Sequence, residues 1–257
     1  MLFRSLRKLW PIFRSITGEG QRLTHEILNE IIPLNHLDFP SGKKIFDWQV
    51  PKEWRFNQAY IVDPNGCRII DTKKNNLHLV NYSRPFVGKL PLNQLQKHLF
   101  SLPNRPNAIP YVTNYYSDFW GFCVTENLRN KLIDGIYEIV VDTELFDGTM
   151  RVSDCILPGK DKTEVLFSSY TCHPSMANNE LSGPIVLSFV YRALANISER
   201  NLTYRFVLGP ENIGSIAYLA ENGKKLTDNV VAGYVLSNIA DRQPLSLKKS
   251  QKGILLI

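Results

Sequence analysis

The stretch EVLFSSYTCHPSMANNELSGPIVLSFVYRALANI (164–197) sets the architecture of this chain. Its first seven residues form an apolar run that predicts a buried strand, and 181–197 carries apolar side chains at helical spacing. The same order then repeats, with a strand predicted at 204–209, a helix at 212–222 and a strand at 231–239. Strands that alternate with helices are typical of an α/β fold with a mostly parallel sheet and helices on both faces.

Ionisable side chains follow the ends of all three predicted strands. His173 comes after the first strand, Glu211 after the second and Asp241 after the third. Because ligands of open α/β sheets bind at the carboxyl ends of the strands, we expect these residues to converge at one edge. Zinc accepts imidazole and carboxylate ligands, and a carboxylate that does not bind the metal serves as a general base. The sequence therefore indicates a zinc site at this edge.

The middle of the chain has a different pattern of residues. From Phe46 to about Cys155 it consists of short β-like runs and turns. AYIVDPNGCRIID (59–71) predicts a hairpin around an Asn-Gly turn, and IYEIVVDTEL (136–145) alternates in the way a half-buried strand does. We interpret this block as a separate β-rich unit, with Trp120 and its aromatic neighbours in its core.

The composition excludes some classes of partner. The chain has 257 residues, and its formal charge of +6 comes from 30 basic and 24 acidic residues. Much of the basic excess lies near the two ends, and no interior basic stripe is interleaved with aromatic residues. Nucleic-acid binding is therefore not predicted.

The cysteines and the first residues bear on the compartment. The four cysteines are widely spaced and form no CxxC pair, which is typical of buried thiols in a reducing compartment. The segment MLFRSLRKLWPIFRS (1–15) carries a charge every few positions and lacks the apolar run of a signal peptide or a membrane span. We therefore expect a soluble cytoplasmic protein without a membrane span.

Several stretches of the chain resemble a known family. These stretches are FRSITGEG (13–20), FPSGKKIFDW (39–48), YYSDFWGFCVT (115–125), SSYTCHPSMANNELSGPIV (168–186), LGPENIGSIAYL (208–219) and AGYVLSNIADRQPLSLKKSQKG (232–253). Through them the chain resembles bacterial aminopeptidase-like proteins of unknown function, which are related to the co-catalytic zinc exopeptidases. The resemblance implies an aminopeptidase-like α/β domain, formed by 1–45 and 156–257, with an inserted β-rich domain at 46–155.

The resemblance also implies roles for single residues. His173 matches the zinc-binding His of the HxD motif in the exopeptidases, and Ser175 stands where their Asp orients that His. Asn179 occupies the place of the bridging Asp, and Glu180 is the neighbouring carboxylate that we expect to reach the metal instead.

Two further positions match the same family. The exopeptidases have a Glu-Glu pair, in which one Glu is the base and the other a metal ligand. The matching residues here are Glu211 and Asn212, so the base is kept and the metal ligand is replaced by an amide. Asp241 matches the Asp after the next strand. The resemblance thus implies metal ligands His173, Glu180 and Asp241, Glu211 as the base, and one zinc ion at most.

Other interpretations of these residues stay open. Glu211 is equally well explained as an acid near the N-terminus of the following helix, and Asp241 as a turn residue. Cys172 beside His173 suggests a thiol–imidazole dyad, but neighbours in an extended segment point to opposite sides, so we expect no such pair. The remaining histidines, His25, His36, His78 and His98, are interpreted as surface or core residues.

The end of the sequence bears on activity. The exopeptidases continue beyond the strand that corresponds to 231–239 and supply a final His ligand, whereas no His follows His173 here. We therefore expect a C-terminally truncated member that is inactive as a peptidase. An edge strand without a partner and the apolar ending ILLI (254–257) are expected to promote aggregation.

Two functions follow from these observations. The first is a zinc-dependent aminopeptidase-like hydrolase of amide or peptide bonds, acting on a small peptide or an amide-bearing substrate. The second is a non-catalytic binding or accessory protein on a peptidase scaffold, since Ser175, Asn179 and Asn212 replace metal-site carboxylates. The resemblance links this second hypothesis to surface-polysaccharide biosynthesis.

Overall fold

The computed structural model describes residues 2–248, which form two compact units. One unit contains the described residues up to Pro51 and from Gly148 onward, and the other is Lys52–Asp147. The helices are α1 (Leu2–Leu9), α2 (Glu19–Asn29), α3 (Leu92–Leu95), α4 (Glu126–Arg129), α5 (Ser182–Ala195) and α6 (Ile213–Asn229). The ending ILLI (254–257) lies outside the described residues.

The strands divide between the same two units. They are β1 (Asn35–Pro40), β2 (Lys44–Ile45), β3 (Trp48–Gln49), β4 (Glu53–Val62), β5 (Arg68–Asp71), β6 (Phe86–Pro91), β7 (Leu99–Phe100), β8 (Phe122–Cys123), β9 (Ile136–Phe146), β10 (Thr149–Leu157), β11 (Glu164–Tyr170), β12 (Thr203–Gly209) and β13 (Val230–Val235).

The first unit is built on a five-stranded sheet with the order β1-β10-β12-β11-β13. Strands β12, β11 and β13 are parallel, as predicted, while β1 and β10 are added antiparallel on the other side. The register pairs Tyr170 with Gly209, so β11 and β12 end side by side. The segments that follow these two strands therefore start from adjacent points of one sheet edge.

Helices cover both faces of this sheet, which confirms the predicted α/β architecture. Side chains alternate along β11, so that Phe167 packs with α1, α2 and α5 while Leu166 packs with α6 on the opposite face. Burial of apolar side chains on both faces is the main force that holds such layers together.

The second unit contains an antiparallel sheet with the order β5-β4-β9-β6. The predicted hairpin is formed by β4 and β5, and the predicted alternating strand is β9. Trp120 is buried and stacks on Phe86 and His98, with ring centroids 4.3 and 3.8 Å apart respectively. The aromatic residues thus form part of the core of this unit, as expected.

The boundaries between the units differ from those drawn on the sequence. Residues 46–51 and 148–155 were assigned to the β-rich block, whereas the structure groups them with the five-stranded sheet. The reason is β10, which pairs with β1 on one side and β12 on the other. Its pairing partners lie far away in sequence, so local patterns do not show which sheet the strand joins.

Candidate functional site

The candidate site lies where β11 and β12 end. The main-chain N–H of Thr171 donates to Gly209 O over 2.9 Å, which extends the contact between the two chain segments beyond the strands. Cys172 and His173 follow on one segment and Glu211 on the other. The predicted convergence of His173 and Glu211 is therefore present in the structure.

His173 is held by the carboxylate of Glu180. The main-chain N–H of His173 donates to Oε1 over 2.9 Å, and Nδ1 lies 2.7 Å from Oε2. Both carboxylate oxygens are thus engaged by one residue. A carboxylate accepts hydrogen bonds and does not donate them, so Nδ1 carries the proton of this contact. The other ring nitrogen, Nε2, lies 3.6 Å from Oε2 of Glu211.

Glu180 sits in a buried and electrostatically compensated environment. Its side chain is fully buried, and burial raises the pKa of its carboxyl, while the hydrogen bond from His173 and the charge of Arg14 oppose that rise. Arg14 is also fully buried, and it donates from Nε to His173 O over 2.9 Å and from Nη1 to Leu9 O over 2.6 Å. A buried cation and a buried anion therefore flank the same histidine.

Cys172 does contact its neighbour, contrary to the expectation from strand geometry. Its Sγ lies 3.3 Å from His173 Nδ1 and accepts from the Glu211 N–H at 3.3 Å. The alternation of an extended strand does not apply here, because β11 ends at Tyr170 and residues 171–173 are outside the strand. Burial raises the pKa of the Cys172 thiol well above its usual range. The thiol is therefore neutral and not activated as a nucleophile.

Glu211 is accessible from solvent. Its side chain is 47% exposed, and its carboxylate faces His173 Nε2. Helix α6 begins at Ile213, with Asn212 as the N-cap residue at a φ of 59°. Glu211 therefore lies one residue before the N-cap, and its carboxylate faces the imidazole.

Asp241 is placed differently from the other predicted ligands. It is exposed, its Oδ1 accepts from the Gln243 N–H at 2.9 Å, and its Oδ2 accepts from Asn178 Nδ2 at 3.4 Å. Asn178 also accepts from the Ala240 N–H over 2.8 Å. These contacts are those of a turn residue tied to the segment before α5.

The donor set can be tested against a zinc ion. Among residues 2–248, the one group of three ligand-type atoms within 4.8 Å of one another consists of Cys172, His173 and Glu180. In that group the sulfur and the carboxylate both lie against Nδ1 of the imidazole, at 3.3 and 2.7 Å. A catalytic zinc takes three protein ligands. Within residues 2–248 these three atoms contact one another, and His173 Nε2 faces Glu211 on the other side of the ring, so the contacts of this group do not form a complete zinc site.

A cavity of about 160 Å³ adjoins Glu211. It lies between the ends of β11 and β12 and the first turn of α6, and its polar lining includes Ser168, Tyr170, Asn212 and Ser215. The Tyr170 ring packs edge-on against His173 with centroids 5.5 Å apart, and its hydroxyl lies 2.6 Å from Ser237 Oγ. The cavity thus offers hydroxyl and amide groups beside the His173–Glu211 pair.

The sequence did not point to Arg14, Tyr170 or His25. His25 is fully buried, with Nδ1 2.6 Å from Ser153 Oγ and Nε2 2.7 Å from Thr171 Oγ1, so it ties α2 to the segment that carries His173. Arg14 and His25 lie about 150 residues before their partners. No local spacing links such pairs, although the motif FRSITGEG (13–20) contains Arg14.

Within residues 2–248, no helix combines the length and the apolar composition needed to cross a membrane.

Comparison with known proteins identifies a close relative. A protein of Clostridium acetobutylicum with an aminopeptidase-like domain, provisionally assigned to polysaccharide biosynthesis, is 39% identical over 252 residues. That alignment covers 98% of this chain and 58% of the relative, so the chain spans little more than half of that protein. A crystal structure of a chain from Clostridium acetobutylicum, provisionally assigned as a peptidase, has a TM-score of 0.91 at 40% identity, and the match covers 94% of this chain and 57% of that one.

More distant structures share the fold. The zinc aminopeptidase BSAP from Bacillus subtilis has a TM-score of 0.59 at 12% identity, with 93% of this chain and 69% of that chain covered. A family M28 peptidase precursor from Shewanella amazonensis has a TM-score of 0.58 at 11% identity, with 90% and 69% covered. The family described as Domain of unknown function (DUF4910) matches residues 3–257. The chain therefore belongs to the DUF4910 family and has an aminopeptidase-like fold.

Proposed function

We propose that this chain is a ligand-binding domain on an aminopeptidase scaffold, and that its ligand is a small molecule with an amino or amide group. The observation that carries this proposal is the pair formed by His173 Nε2 and Glu211 Oε2, 3.6 Å apart beside the cavity. Nδ1 of His173 donates to Glu180, and in the tautomer with the proton on Nδ1 the imidazole presents an acceptor at Nε2. Two acceptors at this distance suit a ligand that brings N–H donors.

The cavity lining supports a polar ligand of modest size. Ser168, Tyr170, Asn212 and Ser215 supply hydroxyl and amide groups that both donate and accept hydrogen bonds. The relative from Clostridium acetobutylicum is provisionally assigned to polysaccharide biosynthesis. An amino sugar or N-acylated sugar combines the required amino or amide group with hydroxyl groups. A small peptide amide offers the same N–H donors and is the alternative ligand.

A second candidate function is a zinc-dependent hydrolase of amide bonds. The separation of His173 Nε2 and Glu211 Oε2 favours it, because a metal ligand and a second ligand or base around one ion lie at such distances. In that case His173 would hold the ion, at most one ion would bind, and the bound ion would supply Lewis-acid polarisation of the amide carbonyl. Ser175, Asn179 and Asn212 count against it, because none of them offers a carboxylate.

The two functions are separated by ligand binding and metal content measured on the same purified protein. Calorimetry with glucosamine, N-acetylglucosamine and leucinamide as probes is expected to show binding that His173→Ala and Glu211→Gln abolish. Asp241→Asn is the matched control, and it should bind as the unaltered chain does. Failure of all three probes contradicts the binding proposal. One tightly held zinc per chain that is lost in His173→Ala, together with cleavage of leucinamide, establishes the hydrolase instead.

A further inference from the structure

We propose that Glu180 and Arg14 are positioning residues for His173, which keep its imidazole in the tautomer with the proton on Nδ1 and direct Nε2 toward Glu211. The proposal deepens the proposed function, since it concerns the same site and assigns Glu180 a role other than that of a metal ligand.

The first argument is the two-point contact between Glu180 and His173. One carboxylate oxygen accepts from the main chain of His173 and the other from its ring, at 2.9 and 2.7 Å. The hydrogen bond to the main chain holds the backbone of His173, and the hydrogen bond to the ring holds its two side-chain torsions. The two together hold the imidazole in one orientation. A histidine whose second nitrogen serves a ligand is commonly oriented in this way by a carboxylate on the first.

The second argument is the local backbone that places Glu180. Residues Ala177–Leu181 form a π-helical turn, in which the Leu181 N–H donates to Met176 O over 3.1 Å across five residues. A π turn inserts one extra residue compared with an α-helical turn and is frequent at functional sites. Here the segment leads directly into α5 and leaves the Glu180 side chain fully buried against His173.

The third argument is electrostatic. An ionised carboxylate without exposure to water is costly unless it is hydrogen bonded and paired. Arg14 supplies the opposite charge, and its Nε bond to His173 O fixes the same residue from a second direction. Glu180 thus accepts two hydrogen bonds from the residue that Arg14 also holds.

The proposal makes a specific prediction for Glu180→Gln. A glutamine side chain has one acceptor oxygen and one donor NH₂ group in place of two acceptors. If the oxygen keeps the bond to the main-chain N–H of His173, the NH₂ group faces Nδ1. The ring must then accept at Nδ1 and carry its proton on Nε2. The substitution is therefore expected to invert the tautomer while it barely changes the volume of the side chain.

The test is NMR of the full chain labelled with ¹⁵N-histidine, recorded at pH 8, with the His173 signals assigned from the His173→Asn variant. We expect Nδ1–H in the unaltered chain, Nε2–H in Glu180→Gln, and the unaltered tautomer in the matched control Glu211→Gln. Any other protonation pattern of His173 in the unaltered chain overturns the proposal even if Glu180→Gln does not fold. Because no ligand is needed, failure of the probes to bind leaves this result independent of the proposed function.

Discussion

Both carboxylate oxygens of Glu164 accept from the guanidinium of Arg205, at 2.6 and 2.9 Å, between the neighbouring strands β11 and β12. Both side chains are nearly fully buried. Arg205 also donates to the Tyr218 hydroxyl over 2.8 Å, and that hydroxyl donates to Asp154 over 2.5 Å. Strands β10, β11 and β12 and helix α6 are thus joined by one buried polar network.

Removal of one partner from this network should be strongly destabilising. Glu164→Leu is expected to lower the free energy of unfolding by about 3–5 kcal/mol, because it leaves the Arg205 cation buried with less compensation. Urea denaturation measures this change. The exposed pair Lys160–Glu199 is the control, where Glu199→Leu should cost less than about 1 kcal/mol. Equal losses in the two variants would contradict the role given to the buried network.

His25 should make the stability depend on pH. Burial lowers its pKa from 6.5 to about 3, with a smaller contribution from the charges of His36 and Arg151. Below pH 6.5 the unfolded chain takes up a proton that the folded chain refuses, so stability falls as the pH falls from 6.5 toward 3. The slope from this residue is about half of 1.4 kcal/mol per pH unit at pH 6.5 and approaches about 1.4 kcal/mol per pH unit at lower pH.

The measurement compares urea unfolding at pH 6.5 and pH 5.5 for the unaltered chain and His25→Gln. Glutamine does not titrate, so the stability that His25→Gln loses between the two pH values should be smaller than that of the unaltered chain by about 1 kcal/mol. Equal losses in the two proteins would show that His25 is protonated in the folded state.

Two glycines in helices should respond oppositely to alanine. A Cβ at Gly183 would lie 2.2 Å from Leu236 O and 2.3 Å from Ser169 Oγ, whereas one at Gly223 meets no atom of the described residues within 4 Å. Gly183→Ala is therefore expected to cost about 1–3 kcal/mol through overpacking. Gly223→Ala, its control, should stabilise α6 by up to about 1 kcal/mol. Thermal unfolding of both variants measures these changes, and a stabilising Gly183→Ala would refute the close packing of α5 on β11.

The unit Lys52–Asp147 should survive limited proteolysis as a fragment. Its first and last strands pair with each other, with Glu53 opposite Phe146, so the two ends of the fragment are adjacent. We expect a resistant core bounded near residues 52 and 147, within the 46–155 block drawn on the sequence. Mass spectrometry of the digest gives the boundaries. Cleavage inside β4 or β9 before cleavage in the rest of the chain would contradict an independently stable unit.

Local residue patterns were sufficient for the alternating strands and helices of the first unit from β11 to β13. The strand at 164–170 was predicted at the bounds observed for β11, and α5 and α6 begin within one residue of prediction. These elements bury one face or both against neighbours, and burial imposes a period of two or 3.6 residues that can be read from the chain. The position of His173 and Glu211 at adjacent strand ends follows from the same periodicity, because parallel strands end at a common edge.

Long-range strand pairing and side-chain packing determine the features of the fold and of the site that local sequence patterns do not show. Strand β10 joins the main sheet through partners that begin at Asn35 and Thr203, and its own sequence is compatible with either unit. The π turn before α5 buries Glu180 against His173, and Arg14 reaches the same residue across 159 positions of the chain. Periodicity reports which face of an element is buried. It carries no information about which distant side chain lies across that face, because that choice depends on the free energy of the whole packed core.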